Sequence, residues 1–219
     1  MTAVEPSHRK IRILLADDHP VTRAGIRKIL ETAEDLEVIG EVGSGFEVQE
    51  WVGRLLPDVL LLDLQMPGPR PSELERWVRQ QYPQVVTLIL TAHSRDSYLA
   101  AMIDAGAAGF LSKQDSAQAL IASIRRAISG ELLFSEEQYK RATLWRRQAG
   151  EKWGSLSERQ QSVIRLLAQG KQNGQIAEAL GVTPKTVAYH LTEIMKRLEV
   201  GSRTEVLAWV LQHVPENLE

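Results

Sequence analysis

Three aspartates, a threonine and a lysine each follow a short apolar run: Asp17 and Asp18 after IRILLA, Asp63 after VLLL, Thr91 after TLIL, and Lys113 after AAGFLS. Singly these are ordinary residues, since an Asp at the end of a strand usually caps a turn and a lone lysine is usually solvated. Gathered on one edge they become a site. Three crowded carboxylates repel one another, and the natural remedy is a hard divalent cation with oxygen ligands, Mg²⁺ above all. A carboxylate beside Mg²⁺ can attack a phosphoryl group and form an acyl phosphate, because the metal offsets the charge that collects on the phosphoryl oxygens. Lys113 would hold one of those oxygens as a compact point charge, and Thr91 would donate a hydrogen bond to another. Asp63 is best placed as the nucleophile, ending DVLLLD before the sharp exit LQMPG.

The elements that must bring these residues together follow from the hydrophobic pattern. Strands are predicted over Ile11–Ala16, Glu37–Val42, Val59–Leu62, Val85–Leu90 and Ala108–Leu111. Helices are predicted between them, over Val21–Thr32, Phe46–Leu55, Ser72–Gln81, Arg95–Ala105 and Ser116–Ile128. Five such βα units imply an α/β fold, a doubly wound five-stranded parallel sheet whose nearly all-apolar strands are buried on both faces. Open sheets of this kind bind ligands outside the carboxyl ends of their strands, where the five polar residues fall. Glycines and prolines such as Gly43, Pro57, Pro67, Gly68 and Gly106 punctuate the units.

The alternation stops after Gly130. Residues 131–153 form a charged linker, which is either solvated or a short helix striped by Tyr139, Ala142 and Trp145. Trp145 and Trp153 favour docking, since a large aromatic ring is costly to leave in water. From Gly154 an all-α domain of four helices is predicted. Ser157 caps Ser157–Gln169 with Gln160 completing a capping box, Asn173–Leu180 follows, Thr183 and Pro184 open a helix running to Leu198, and Ser202 caps a last helix ending near His213. The domains expected are thus a tail over 1–10, the α/β domain over 11–130, the linker, the helical domain over 154–214 and a tail over 215–219.

Composition narrows the classes. The 219 residues include no cysteine, which removes disulfides, thiolate metal sites and cysteine nucleophiles. No apolar run reaches bilayer length and Met1–Lys10 is polar, so a cytoplasmic protein without membrane contact is expected. The formal net charge is −2. Residues 154–219 hold 7 basic and 7 acidic residues, so any nucleic-acid contact there must come from a local face and not from a general basic excess.

Asn173–Leu180, a short turn and Pro184–Leu198 have the spacing of a helix-turn-helix. In the second helix Val187, Leu191, Ile194, Met195 and Leu198 form an inward apolar face. Lys185, Ala188, Tyr189, Thr192 and Lys196 form the face opposite. Tyr189 reads either as a DNA contact or as packing on its own helix. Val206, Leu207, Trp209 and Val210 in the last helix exceed what a small core needs. They are expected as a pairing surface, with Leu207 open to a core role.

The acidic pair, DVLLLDLQMPG, LILTAH and GAAGFLSK together make residues 11–129 resemble the receiver domain of a two-component response regulator, a flavodoxin-like fold. The resemblance implies that Asp63 accepts phosphate from the histidine of a sensor kinase. It places Asp18, Asp63 and the Gln65 backbone carbonyl on Mg²⁺, has Asp17 act mostly through water, and makes Thr91 and Phe110 the switch pair. Residues 156–209, with IAEALGV, KTVAYHL and KRLEV, resemble the LuxR-type DNA-binding domain. The whole is similar to NarL/FixJ-type regulators. In those terms Lys185, Thr186 and Lys196 contact phosphates, and Ala188, Tyr189 and Thr192 meet bases. A homodimer on paired promoter half-sites is implied, with phosphorylation controlling dimerisation.

The chain departs from the pattern in places. Pro69, Arg70 and Pro71 replace a usual Met-Asp-Gly, removing two backbone donors beside the site. Were that loop to block the site, the receiver would be switched by a ligand or partner and not by phosphate. Phe110 replaces a common Tyr, so burial alone must favour its inward position. Ala188, Thr192 and Gly174 stand where relatives often carry Lys. A Mg²⁺-dependent phosphohydrolase is the rival reading, but it needs a second acid two residues after the nucleophile, where this chain has Gln65. No enzyme is expected, only uptake and slow loss of the protein's own phosphate, with Gln65 and His93 flanking the water.

Overall fold

A computed structural model describes residues 9–92 and 95–213. His93 and the tail 215–219 lie outside the described residues. Five strands, β1 (Ile11–Ala16), β2 (Leu36–Val42), β3 (Val59–Leu62), β4 (Val86–Thr91) and β5 (Gly109–Ser112), form one parallel sheet in the order β2-β1-β3-β4-β5. Between and after them run α1 (Pro20–Leu30), α2 (Gly45–Leu55), α3 (Pro71–Gln81), α4 (Asp96–Ala105) and α5 (Ala117–Ile128). Each predicted strand and helix of this part is present, with ends within two residues of those expected.

Period-two alternation sends the strand side chains to two cores. Ile13, Leu15, Val59, Leu61, Leu88 and Leu90 pack with Ile26 and Leu30 of α1 and Leu120, Ile124 and Ala127 of α5. Their neighbours Leu14, Leu60, Leu62 and Ile89 are equally buried and face the other side of the sheet. Truncating one of these fully buried leucines to alanine costs about 2–5 kcal/mol, so the strand ends carrying the site are rigidly held. After α5 the chain returns to the sheet. Leu133 N donates to Ala108 O at 2.7 Å and Leu133 O accepts from Phe110 N at 3.3 Å, covering the outer edge of β5.

Two compact units are distinguished. Among the described residues the first holds 9–92 and 101–136, and the second holds 95–100 and 137–213. The stretch read as a linker is therefore divided, with 131–136 belonging to the sheet and 137–153 to the helical unit. In the latter, α6 (Glu136–Trp145), a π-helical turn (Arg146–Gly150) and α7 (Glu151–Gly154) lead into α8 (Glu158–Ala168), α9 (Asn173–Leu180), α10 (Pro184–Leu198) and α11 (Arg203–His213).

The expected stripe on α6 holds at Ala142, which is buried, and at Trp145, which is half-buried, while Tyr139 stays 39% exposed. The tryptophans dock as their chemistry suggests. The Trp153 ring stacks on Trp209 with centroids 6.4 Å apart, and Trp145 Nε1 donates to His213 O at 3.1 Å. Lys152 adds an ion pair with Glu199 at 2.5 Å. Val206 and Val210 are buried in the core of the helical unit, with Leu207 and Trp209 packed partly against it. This corrects the reading of α11 as surplus apolar surface, because α6 and α7 add partners that a three-helix core lacks.

Candidate functional site

Backbone hydrogen bonds continue the sheet one step past each strand and thereby align the polar residues. Asp17 N donates to Val42 O at 3.1 Å, Asp63 N to Ala16 O at 2.9 Å, and Lys113 N to Thr91 O at 2.9 Å. The carboxyl ends of β1, β3, β4 and β5 thus present Asp17, Asp63, Thr91 and Lys113 along one edge. Lys113 Nζ reaches Asp63 Oδ2 at 2.6 Å and Asp17 Oδ2 at 2.8 Å. Asp17 and Asp63 are only 1% and 3% exposed, so these charges interact largely out of water. Burial by itself would lower the Lys113 pKa, but the hydrogen bonds and charges of Asp17 and Asp63 outweigh it and the net shift is upward. Lys113 is therefore a permanent cation. One lysine against Asp17, Asp18 and Asp63 still leaves negative charge uncompensated.

Asp17, Asp18, His19 and Asp63 each offer a ligand atom, all within 4.8 Å of one another. Asp17 Oδ2 and Asp18 Oδ1 are buried atoms, the first facing the Lys113 ammonium at 2.8 Å and the second the His19 ring at 2.6 Å. Three carboxylates against one lysine leave an excess of negative charge at a largely buried edge, which a divalent cation would offset. The donor set therefore fits Mg²⁺. Gln65 is half-buried two residues beyond Asp63.

The sequence reading missed His19 and Arg23. His19 occupies the N-cap of α1 and its ring makes no cap hydrogen bond. Its backbone N donates to Asp17 Oδ1 at 2.8 Å. Arg23 Nη1 donates to Asp17 O at 2.6 Å and Nε pairs with Glu41 Oε2 at 3.2 Å, clamping the acidic turn against β2. The available signal was the Asp-Asp-His-Pro run opening a helix, in which Pro20 sets the direction of the residue before it.

The departures are accommodated. Pro71 is buried at the first position of α3, where a missing N–H loses nothing. Pro67 O accepts from Gly45 N at 2.8 Å, and Gly68 adopts φ 138°, where a Cβ would lie 2.9 Å from Gly45 Cα. The loop is thus tied to the start of α2. Phe110 is 4% exposed and Thr91 3%, so both members of the expected switch pair are buried and the phenylalanine is inward without a hydroxyl.

In the helical unit the turn between α9 and α10 is closed by Gly181 in the left-handed region, φ 63°, with Val182 N donating to Ala177 O. Thr183 caps α10 by accepting from Thr186 N, and Ser157 with Gln160 forms the capping box predicted for α8. Val187, Leu191, Ile194 and Leu198 are buried, whereas Met195 is only partly so. Lys185, Ala188, Tyr189, Thr192 and Lys196 are exposed, Tyr189 by 62%, and Thr186 is half-buried. Three of these side chains are already engaged: Lys196 pairs with Glu193 at 2.8 Å, Thr192 Oγ1 donates to Ala188 O at 3.1 Å, and the Thr186 hydroxyl lies 2.9 Å from Thr183 Oγ1.

Known proteins share this arrangement. A sequence model of the response regulator receiver domain matches residues 13–125, and one of the bacterial regulatory proteins of the luxR family matches residues 154–210. Response regulator protein VraR of Staphylococcus aureus is 33% identical over 203 residues, covering 93% of this chain and 97% of that protein. RcsB from Salmonella enterica serovar Typhimurium, solved bound to a promoter in the presence of a phosphomimetic, is 27% identical with a TM-score of 0.61, covering 94% of this chain and 100% of that one. The response regulator ChrA of a heme-sensing two-component system is 31% identical with a TM-score of 0.54, covering 93% and 97%. With both domain models matched in order over most of its length, the chain belongs to the DNA-binding response regulators of two-component systems, a receiver joined to a LuxR-type helix-turn-helix.

Proposed function

We propose that Asp63 accepts a phosphoryl group from the histidine of a sensor kinase and that this modification governs promoter binding by the helical unit. The observation that carries the reading is the Asp63 carboxylate held 2.6 Å from Lys113 within a buried, under-compensated acid cluster. Asp17, Asp18, Asp63 and the Gln65 carbonyl are the groups that would hold Mg²⁺, which when bound offsets charge on the phosphoryl oxygens. An Asp63 oxygen attacks phosphorus as the N–P bond of the phosphohistidine breaks, and the imidazole leaves with the electron pair. Lys113, released in part from Asp63, then neutralises a phosphoryl oxygen, and the Thr91 hydroxyl donates to another. Buried Phe110 would be the second member of the switch pair with Thr91. With Gln65 where a hydrolase has its acid, turnover is limited to slow loss of the protein's own phosphate, so the protein acts as a switch and not as an enzyme.

The output is dimerisation on DNA. Residues 154–219 carry equal numbers of basic and acidic residues, so a single copy neutralises few phosphates and binds weakly at physiological salt. Two linked copies on paired half-sites gain from effective concentration. RcsB has been solved as dimers bound to DNA, which supports this reading. No described helix is long and apolar enough to cross a membrane, and we place the protein with its DNA in the cytoplasm.

The test is mass spectrometry of the full chain after incubation with Mg²⁺ and a small phosphodonor, followed by operator binding and mass in solution. One added phosphoryl group, tighter operator binding and a dimer are expected. No uptake, or uptake with unchanged affinity, overturns the proposal.

A further inference from the structure

Arg23 stands in the first turn of α1, where the helix dipole favours an acid over a cation, so its place there is decided by something outside the helix. Its side chain runs back toward the helix start, as helical side chains do. Nη1 donates to Asp17 O at 2.6 Å, while Nε pairs with Glu41 Oε2 at 3.2 Å. Arg27, one turn on and on the same face, takes the other Glu41 oxygen at 2.5 Å. Both oxygens of Glu41 are thereby occupied, which fixes its carboxylate. A bulge in β2 aims it. Ile13 pairs with Val38 but Leu14 pairs with Gly40, so β2 carries Ile39 as an extra residue. Leu36 and Val38 belong to the core shared with α1 and α5. A Cβ on Gly40, by contrast, would lie 2.7 Å from Leu55 of α2. Regular alternation would send residue 40 to the α1 face and Glu41 to the other. The extra residue reverses this, as bulges do where a side chain is re-aimed beside a site.

We propose that Arg23 is a positioning residue for the divalent cation, tying the Asp17 carbonyl to Glu41 and so holding the Asp17 and Asp18 carboxylates within reach of Asp63. Asp17 N is already held by Val42 O, and Asp17 Oδ1 by His19 N. With the carbonyl held as well, the planar Asp17–Asp18 peptide cannot swing, and Asp18 stays at the site. Arg23 touches neither the ion nor the phosphoryl group in this scheme. Removing groups that orient metal ligands from behind lowers metal affinity by roughly 10–100-fold. The inference rests on the reading that the cluster binds a divalent ion, and the experiment separates the two.

The full chain and its variants are titrated with Mg²⁺ by calorimetry, and the sign of the change decides. On charge alone, deleting a cation near three carboxylates tightens Mg²⁺ binding. Positioning predicts the reverse, a loss of about tenfold or more in Arg23→Met. Arg23→Lys keeps the charge but not the planar fork, so it should also bind Mg²⁺ more weakly than the unaltered chain, and it decides the matter if Arg23→Met does not fold. Glu41→Gln should lose less, because its amide oxygen still accepts from Arg23. Adding it to Arg23→Met should weaken Mg²⁺ no further. Tighter or unchanged binding in the Arg23 variants overturns the proposal, whatever happens to stability. Additive losses overturn it too, since Glu41 would then act on the ion without Arg23. No Mg²⁺ binding by the unaltered chain removes the cation site and the proposal together.

Discussion

Asp63 and Lys113 stand 50 residues apart in the chain and 2.6 Å apart in space, almost wholly out of water. The residues offered to DNA come from a single helix, α10, and stand in solvent, with Tyr189 62% exposed. In the first region each charge is felt at low effective dielectric and none can move without the others. In the second, each side chain acts nearly alone and is screened by salt. Substitutions in the acid pocket should therefore act strongly and together. Those on the recognition face should act weakly and add.

The largest effect tests the pocket directly. Asp63→Asn preserves shape but removes the nucleophile, so phosphoryl uptake by mass spectrometry should vanish. Full modification of the variant would place the acceptor elsewhere.

Removing the buried cation is the next strongest test. Lys113→Met leaves Asp17 and Asp63 facing each other without compensation, and urea unfolding in the absence of divalent ions should show a loss of about 3 kcal/mol. Mg²⁺ should recover part of it. An unchanged midpoint would mean that the pair contributes no more than a surface salt bridge, erasing the contrast between the regions.

A buried acid outside the pocket sharpens the point. Glu75 on α3 is 2% exposed, and burial raises its pKa from 4.5 to about 7, with Thr87 and the Arg79 charge opposing only part of that shift. The folded state thus holds this proton more tightly than the unfolded chain, so stability is highest below pH 4.5 as far as this group is concerned. It falls as pH rises towards 7, and the loss is complete above that. Glu75→Gln should flatten this slope. It should stabilise the protein at pH 8 by up to about 3 kcal/mol and have little effect at pH 4.5, as read by urea titrations at both values. Equal effects at the two pH values would exclude a buried, proton-binding Glu75.

The smallest effects belong to α10. Tyr189→Ala or Thr192→Ala should shift sequence preference by about 1–3 kcal/mol at the bases they meet. Lys185→Ala should weaken all sequences alike and reduce the salt slope by about one. Because Lys196 is already paired with Glu193, Lys196→Ala should cost less than Lys185→Ala, and Glu193→Gln should raise nonspecific affinity. Fluorescence anisotropy across a salt series measures all of these. Strong coupling between the two lysines would contradict independent action on an exposed face.

The legibility of the two regions in the sequence follows the same division. Strand and helix positions, the capping box at Ser157, the Thr183-Pro184 helix start and the outward face of α10 were all readable, because local patterns carry them. The convergence of Asp17, Asp63, Thr91 and Lys113 was readable from strand ends together with the rule for open parallel sheets. Arg23 was not, since its partners are a backbone carbonyl and a residue on another strand. Glu75 was hidden as well, because a Glu in an amphipathic helix looks solvent-exposed until the helix is laid on its sheet.

By itself the sequence determined the elements, their order and the chemistry available at the strand ends, because apolar periodicity and cap residues act over a few positions. Tertiary structure alone decided which polar atoms lose water and which neighbours replace it. That placed His19 against the carboxylates, Lys196 against Glu193, and the tryptophans of 137–153 against α11. Distances of this kind depend on how the helices and strands close on one another, and desolvation turns them into energy only once the packing is complete.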